Sequence, residues 1–190
     1  EVTNRENLFL IPGHINLSEY EITLGIAQEL SSSIQALKNV PGAFSYFVNK
    51  EIEKYNFEYV LIDMNPSLGA LNQNILMTSD YFIVPTTPDY FSKMAIDSLS
   101  FVFPRWVNWT NRAQGLEELE QAAYPFPKGL PKFLGTVIQK YRPRNGAATE
   151  GFQGWIDRIN NAVTNTLTPK LTEIGMMIKN KKYNELVTGF

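Results

Sequence analysis

The residues best suited to chemistry lie in one stretch, Phe57-Glu58-Tyr59-Val60-Leu61-Ile62-Asp63-Met64-Asn65-Pro66-Ser67-Leu68-Gly69. An apolar run stops abruptly at a carboxylate, and a Pro/Ser/Gly turn then opens a helix. Val60-Leu61-Ile62 shows no polar alternation, the habit of a strand buried on both faces of a parallel sheet. In open sheets of that kind ligands lie beyond the carboxyl ends of the strands, and Asp63 falls at such an end. A carboxylate there is placed to hold a magnesium ion, directly or through water. The same residue could instead be an N-cap, because Asp ahead of a turn and helix satisfies free amide groups. The pattern alone leaves both readings open.

Other chemistries are poorly supported. His14 is the single histidine and no cysteine occurs, so neither a zinc set nor a thiol nucleophile can be assembled. A Ser-based triad would need a G-x-S-x-G elbow, which is absent. Neither G-x-x-x-x-G-K-[ST] nor G-x-G-x-x-G occurs, so these 190 residues lack the strongest phosphate-binding loop and are expected to bind ATP weakly or not at all. Lys140-Tyr141-Arg142-Pro143-Arg144 places three cations on a proline-containing loop. Such a loop at a strand end is suited to the phosphates of a nucleotide or of DNA. Tyr141, Trp106, Trp109 and Trp155 could stack on bases, although Trp155 fits a helical core stripe better.

Length and composition set the frame. At 190 residues and 44% hydrophobic content, the expectation is a single domain spanning 1–190 with a full core. No run approaches 18 apolar residues, so no membrane span and no membrane partner is expected. The lack of cysteine and of a leader pattern fits a cytoplasmic protein. Because the chain opens on Glu1, it reads as a piece of a longer protein. Charge is uneven: residues 1–127 hold 7 basic and 15 acidic side chains, whereas 128–190 hold 10 basic and 4 acidic. A basic half of this kind suits an anionic partner, with Lys140, Arg142, Arg144, Arg158, Lys170, Lys179, Lys181 and Lys182 as candidates, or it is simply a solvated surface.

The elements that must position these residues alternate. Leu8–Pro12, Tyr59–Asp63, Tyr81–Pro85 and Phe133–Ile138 read as strands. A helix opens at Ser18, whose spacing to Glu21 suggests a capping box, and buries Leu17, Tyr20, Leu24, Ala27, Leu30, Ile34 and Leu37. Further helices are expected to about Tyr55, over 68–78, from Phe91 to Trp106 with Pro104 kinking or ending it, around 113–123, and over 150–167. Residues 169–190 read as weakly patterned helix. Strands alternating with helices indicate an α/β fold, a mostly parallel twisted sheet flanked by helices on both faces.

Several of these segments, taken in order, resemble the ParA/MinD-like deviant Walker ATPases, and the ParA partition proteins most closely. Asn7 to Leu17, with Glu21 and Leu24, is similar to the family's segment around its Ile-Pro strand. Tyr59 to Asp63 resembles its Walker B strand, and Pro66-Ser67-Leu68-Gly69 with Asn72 and Leu76 its switch II turn and helix. Asp80 to Pro85, running on to Pro88-Asp89 and Phe91-Ser92, resembles the next strand and loop. Gly135 to Tyr141 resembles the late strand that ends near the adenine. Asn65 stands where the family usually has a proline, and the family's phosphate loop, signature lysine and switch I aspartate have no counterpart in 1–190.

The resemblance implies a P-loop NTPase-like three-layer fold with its N-terminal part missing, the C-terminal two-thirds or so of a ParA-like ATPase domain. It implies that the intact parent binds ATP and Mg2+, forms a homodimer around ATP, grips non-specific DNA and answers to a ParB-like adaptor. On this resemblance Asp63 holds the magnesium through water, and Asn65 and Pro66 belong to the catalytic switch. Pro85, Pro88, Gln139 and Tyr141 border the adenine, while Lys140, Arg142, Arg144, Lys179, Lys181 and Lys182 meet DNA. Two alternatives are a positioning ATPase for another cargo, and a non-catalytic interaction module that keeps the fold without the loop.

Overall fold

Two parallel strands and the helix joining them organise the molecule. The computed structural model describes residues 5–30, 35–140, 143–144, 147–148, 150–178 and 188–189. β1 (Tyr81–Thr86) pairs in parallel with β2 (Lys132–Ile138), from Tyr81↔Lys132 to Thr86↔Ile138. The register shifts after Phe82, where Gly135 replaces Leu134 as the next partner. Gly135 has φ 140, a backbone region that a residue with a Cβ rarely adopts, so glycine suits this bulge. β3 (Pro143–Arg144) and β4 (Ala147–Ala148) make a short antiparallel pair, and β5 (Thr188–Gly189) adds parallel to the far side of β2. The sheet order is therefore β1-β2-β5.

Helices supply the rest of the core. α4 (Tyr90–Gln114) crosses from β1 towards β2 and buries Ile96, Val102, Phe103, Trp106 and Val107. At the centre the Phe82 ring meets Phe103 edge-on at 5.4 Å and Phe133 at 5.2 Å. α6 (Glu150–Ala162), a π-helical turn over Val163–Leu167 and α7 (Thr168–Glu173) close over α4 with Ile159, Val163, Leu167 and Leu171. A second cluster joins α1 (Leu17–Leu30), α2 (Val40–Tyr55) and α3 (Ala70–Met77) through Leu24, Leu71 and Ile75. Met64 packs against both clusters. The short α5 (Glu117–Glu120) contributes Leu119 to a third cluster with Trp109, Ala113 and Phe126. Among the described residues no helix is long and apolar enough to cross a membrane. The α/β class, with a parallel sheet and flanking helices, is the one expected.

Four expectations need correction. Leu8–Pro12 and Tyr59–Asp63 belong to no helix and pair with no strand among the described residues, and Tyr59 and Leu61 are 85% and 95% exposed. An apolar run becomes a buried strand only where neighbours cover its edges and faces. Helix α1 begins without the capping box: the Ser18 hydroxyl donates to the Ile15 carbonyl, and Glu21 packs against Gly69. Pro104 does not end α4, which runs on to Gln114. An internal proline costs about 3 kcal/mol, but Phe103, Trp106, Val107 and Trp109 are all buried around it, at about 1.5–3 kcal/mol for each large side chain. Finally, 169–190 is not one helix: α7 ends at Glu173, Met177 bridges to Phe133 and Thr188–Gly189 is strand.

The N-terminus of α2 sits against the 123–125 segment. The Ala123 amide donates to the Asn39 side chain at 2.8 Å, and a Cβ on Gly42 would lie 2.0 Å from the Tyr124 carbonyl oxygen. Only a shift of backbone could admit it, so Gly42→Ala should cost at least about 2 kcal/mol in chemical denaturation. Phe103→Ala, which removes one fully buried ring of the aromatic trio, should cost about 3–5 kcal/mol in the same measurement.

Candidate functional site at the strand tips and the 63–69 turn

The Asp63 carboxylate is exposed and makes no hydrogen bond or ion pair among the described residues. It does not cap α3, whose N-cap is Gly69. The capping alternative for Asp63 is thereby removed.

The turn after Asp63 is held firmly. The buried Asn72 amide group, one turn into α3, donates to the Asn65 carbonyl at 2.7 Å, the Asn65 side-chain oxygen at 3.0 Å and the Ser67 carbonyl at 2.7 Å. The Ser67 amide also donates to the Asn65 carbonyl at 2.8 Å. One side chain thus fixes the turn carrying Asn65 and Pro66. Asn65, which stands where the resembled family has proline, supplies two of the acceptors. At the start of α3 a Cβ on Gly69 would lie 2.1 Å from the Glu21 carboxylate. Negative charge is favourable beside the free amides of a helix N-terminus, and glycine leaves room for it.

The tips of β1 and β2 form the second part. The Gln139 amide donates to the Thr86 carbonyl at 2.9 Å, which brings Gln139 beside the loop that carries Pro88. Pro85 and Gln139 are exposed, while Pro88 is buried. Lys140 comes next at φ 59, exposed and without a hydrogen bond or ion pair among the described residues. Beyond β1, Asp89 caps α4 by accepting the Ser92 amide at 2.7 Å, and its other oxygen accepts the Thr87 hydroxyl. The Ser92 hydroxyl in turn accepts the Thr87 amide at 2.9 Å. Desolvation pushes the Asp89 carboxyl up, yet the donors from Thr87, Ser92 and the Phe91 backbone together hold it below the ordinary carboxylate range.

Pro85, Pro88 and Gln139 are therefore brought together, and Asp63, Asn65 and Pro66 share the other turn. Met64 and Val84 pack against one core, so the two parts flank it. Tyr141, Arg142, Lys179, Lys181 and Lys182 lie outside the described residues, and of Arg144 only the backbone in β3 is described. Of the other basic candidates, Arg158 stacks on Trp155 at 4.6 Å and Lys170 pairs with Glu173 at 2.5 Å. Trp155 itself is half-buried and meets Tyr90 edge-on. Asn72, Asp89 and Ser92 enter from the sequence only through the family resemblance, with no role of their own, and Thr87 not at all. The Asp89-x-x-Ser92 spacing is a capping signal, whereas nothing local marks the reach of Asn72 back to Asn65.

Among the described residues no group of three or more His, Asp or Glu could chelate a metal alone. A lone unengaged carboxylate fits magnesium held through its water shell, since that ion keeps several waters and takes other ligands from phosphates. The phosphate cradle has no counterpart in this sequence.

A family model described as an AAA domain matches residues 1–112. An uncharacterised protein of Methanocaldococcus jannaschii is 39% identical over 89 residues, 46% of this chain and 29% of that protein. The sporulation initiation inhibitor protein Soj of Bacillus subtilis is 30% identical over 52% of this chain and 34% of its own length. A virulence plasmid ParA family protein of Chlamydia psittaci is 26% identical over 51% of this chain and 33% of its own. The chain thus spans about a third of the length of these relatives. No solved structure matches significantly.

Asn72→Ala should cost about 1–3 kcal/mol by leaving buried acceptors unpaired, read by urea denaturation. For Asp89 the sign is set by its lowered value: the stabilisation is present above the unfolded carboxyl range and is lost as pH falls through the folded one. Asp89→Ala should therefore cost about 1 kcal/mol at neutral pH. Its difference from the unsubstituted protein should close below about pH 4, in melts recorded across the acid range.

Proposed function

We propose, from the premise that this chain belongs to the AAA-domain family of ParA/MinD-like P-loop ATPases, that it is part of an ATP-dependent dimerising switch in plasmid or chromosome partitioning. The observation that carries the reading is the exposed Asp63 carboxylate, set ahead of a turn that Asn72 locks to α3. Bound MgATP would supply the phosphoryl chemistry. Asp63 would orient the magnesium through its waters, and Asn65 and Pro66 would sense the terminal phosphate. A turn tied to a helix by one side chain can pass a local change to that helix.

Pro85, Pro88, Gln139 and Tyr141 would border the base. Lys140, Arg142, Arg144, Lys179, Lys181 and Lys182 would meet DNA phosphates without reading sequence, which makes binding steeply salt-dependent. A ParB-like adaptor, a homodimer formed on ATP and a cytoplasmic setting belong to the same reading. The domain would be the C-terminal two-thirds or so of the intact ATPase, with the phosphate loop supplied from outside 1–190. The name of the Chlamydia relative, a virulence plasmid ParA family protein, supports partitioning over the positioning of another cargo. The unengaged Asp63 favours an ATPase over a non-catalytic module.

In the full-length parent, Asp63→Ala should abolish ATP turnover measured by phosphate release, and unchanged turnover would remove Asp63 from the mechanism. Lys140→Ala should weaken DNA binding equally across sequences and reduce the slope of log affinity against log salt by about one. An unchanged slope would take Lys140 out of the DNA contact.

A further inference from the structure

We infer that the side-chain and backbone amides of Asn65 donate directly to the terminal phosphate of bound ATP, and so distinguish ATP from ADP. The contact rests on the nucleotide reading above and names the atoms that do the sensing. The first observation is how the hydrogen-bonding groups of the 63–69 turn are divided. The Asn65 carbonyl, its side-chain oxygen and the Ser67 carbonyl all accept from the Asn72 amide group. These acceptors therefore face α3. With its oxygen held on that side, the planar Asn65 carboxamide turns its NH2 group away from α3. That NH2 group and the Asn65 backbone N–H make no hydrogen bond among the described residues, and the residue is exposed. Proline, the family's usual residue here, could offer neither group, since its ring removes the backbone N–H and it has no polar side chain.

The second observation is what stands beside these donors. Asp63, exposed and unengaged among the described residues, lies two positions before Asn65. A carboxylate that holds a metal through water, next to donors that lack an acceptor, suits an anion that arrives with its metal. The other end of the turn does not compete. There the Glu21 carboxylate lies against Gly69 at the α3 N-terminus, and its charge repels a second anion. Hydrogen bonds to an ionised acceptor are roughly twice as strong as neutral ones. The terminal phosphate of ATP is such an acceptor, and ADP lacks it.

The third observation is that Asn72 is oversubscribed. Its amide group has two hydrogens and meets three acceptors. The Asn65 and Ser67 carbonyls lie at 2.7 Å and the Asn65 side-chain oxygen at 3.0 Å, so the side-chain bond is the longest of the three. Two hydrogens suffice for the two carbonyls. The turn therefore stays held when the Asn65 carboxamide rotates onto a ligand. Asn72 holds the turn, and Asn65 reads what is bound to it.

The test is calorimetric titration of the full-length parent with Mg2+ and either ADP or a non-hydrolysable ATP analogue, for the unsubstituted protein, Asn65→Ala and Asn65→Pro. Asn65→Ala should weaken the analogue by about tenfold, the effect of losing a hydrogen bond to a charged group. Its affinity for ADP should not change, and its melting temperature without ligand should stay within a few degrees, because both carbonyl bonds from Asn72 remain. Asn65→Pro, which removes the backbone donor as well, should weaken the analogue at least as much. An equal loss for the two nucleotides, or an Asn65→Ala protein that no longer folds, would mean that Asn65 only shapes the turn and would overturn the inference. Binding of both nucleotides with an unaltered affinity ratio in the variants would also overturn it, and would leave the ATPase reading standing. An unsubstituted parent that binds neither nucleotide would overturn the ATPase reading and this contact with it.

Discussion

The parallel pairing of β1 with β2 is the constraint on which the rest depends. It sets Phe82 beside Phe133 under Phe103, and so decides where α4 crosses and which of its faces is buried. The bulge at Gly135 shifts the pairing by one residue, so that Thr86 and Ile138 end level. Because they end level, Gln139 can bond to Thr86 and the loop carrying Pro88 and Asp89 stands next to it. The geometry of one end of the candidate site is thus a consequence of a register shift several residues earlier.

The other end is fixed differently. The 63–69 turn has no ladder to hold it, and its rigidity comes from one buried carboxamide, Asn72, working against three acceptors. Glu21 against Gly69 adds a charge at the α3 N-terminus. A turn fixed by a helix side chain moves with that helix, whereas a turn fixed by a sheet stays with the sheet. The two halves of the candidate site therefore differ in what they are attached to.

Much of this was legible in the residues. Continuous apolar runs marked β1 and β2, and helical spacing marked α1, α3, α4 and α6, although of the face expected on α1 Leu24 and Ala27 are buried while Leu17 and Leu30 are exposed. Of the two outcomes open at Pro104, a kink or an end, the end does not occur, because the packing of Phe103 and Trp106 on either side outweighs the lost hydrogen bond. The runs 8–12 and 59–63 had the composition of buried strands, but composition cannot show whether a neighbour is present to pair with. Asp63 was visible as a candidate. The partner that holds its turn was not, since a side chain reaching back seven residues leaves no periodic trace. The basic loop near 140 was legible only as charge, and the pairing of Pro143–Arg144 with Ala147–Ala148 left no signal in that charge.

The indole of Trp109 donates to the Gln28 carbonyl at 2.7 Å, tying α4 to α1 across 81 residues of sequence. Bringing such distant stretches together carries a loop-closure penalty that local helices do not face. This contact should be among the last to form as the chain matures. Its ring, lying edge-on to Phe126, would let tryptophan emission time the closing event of folding.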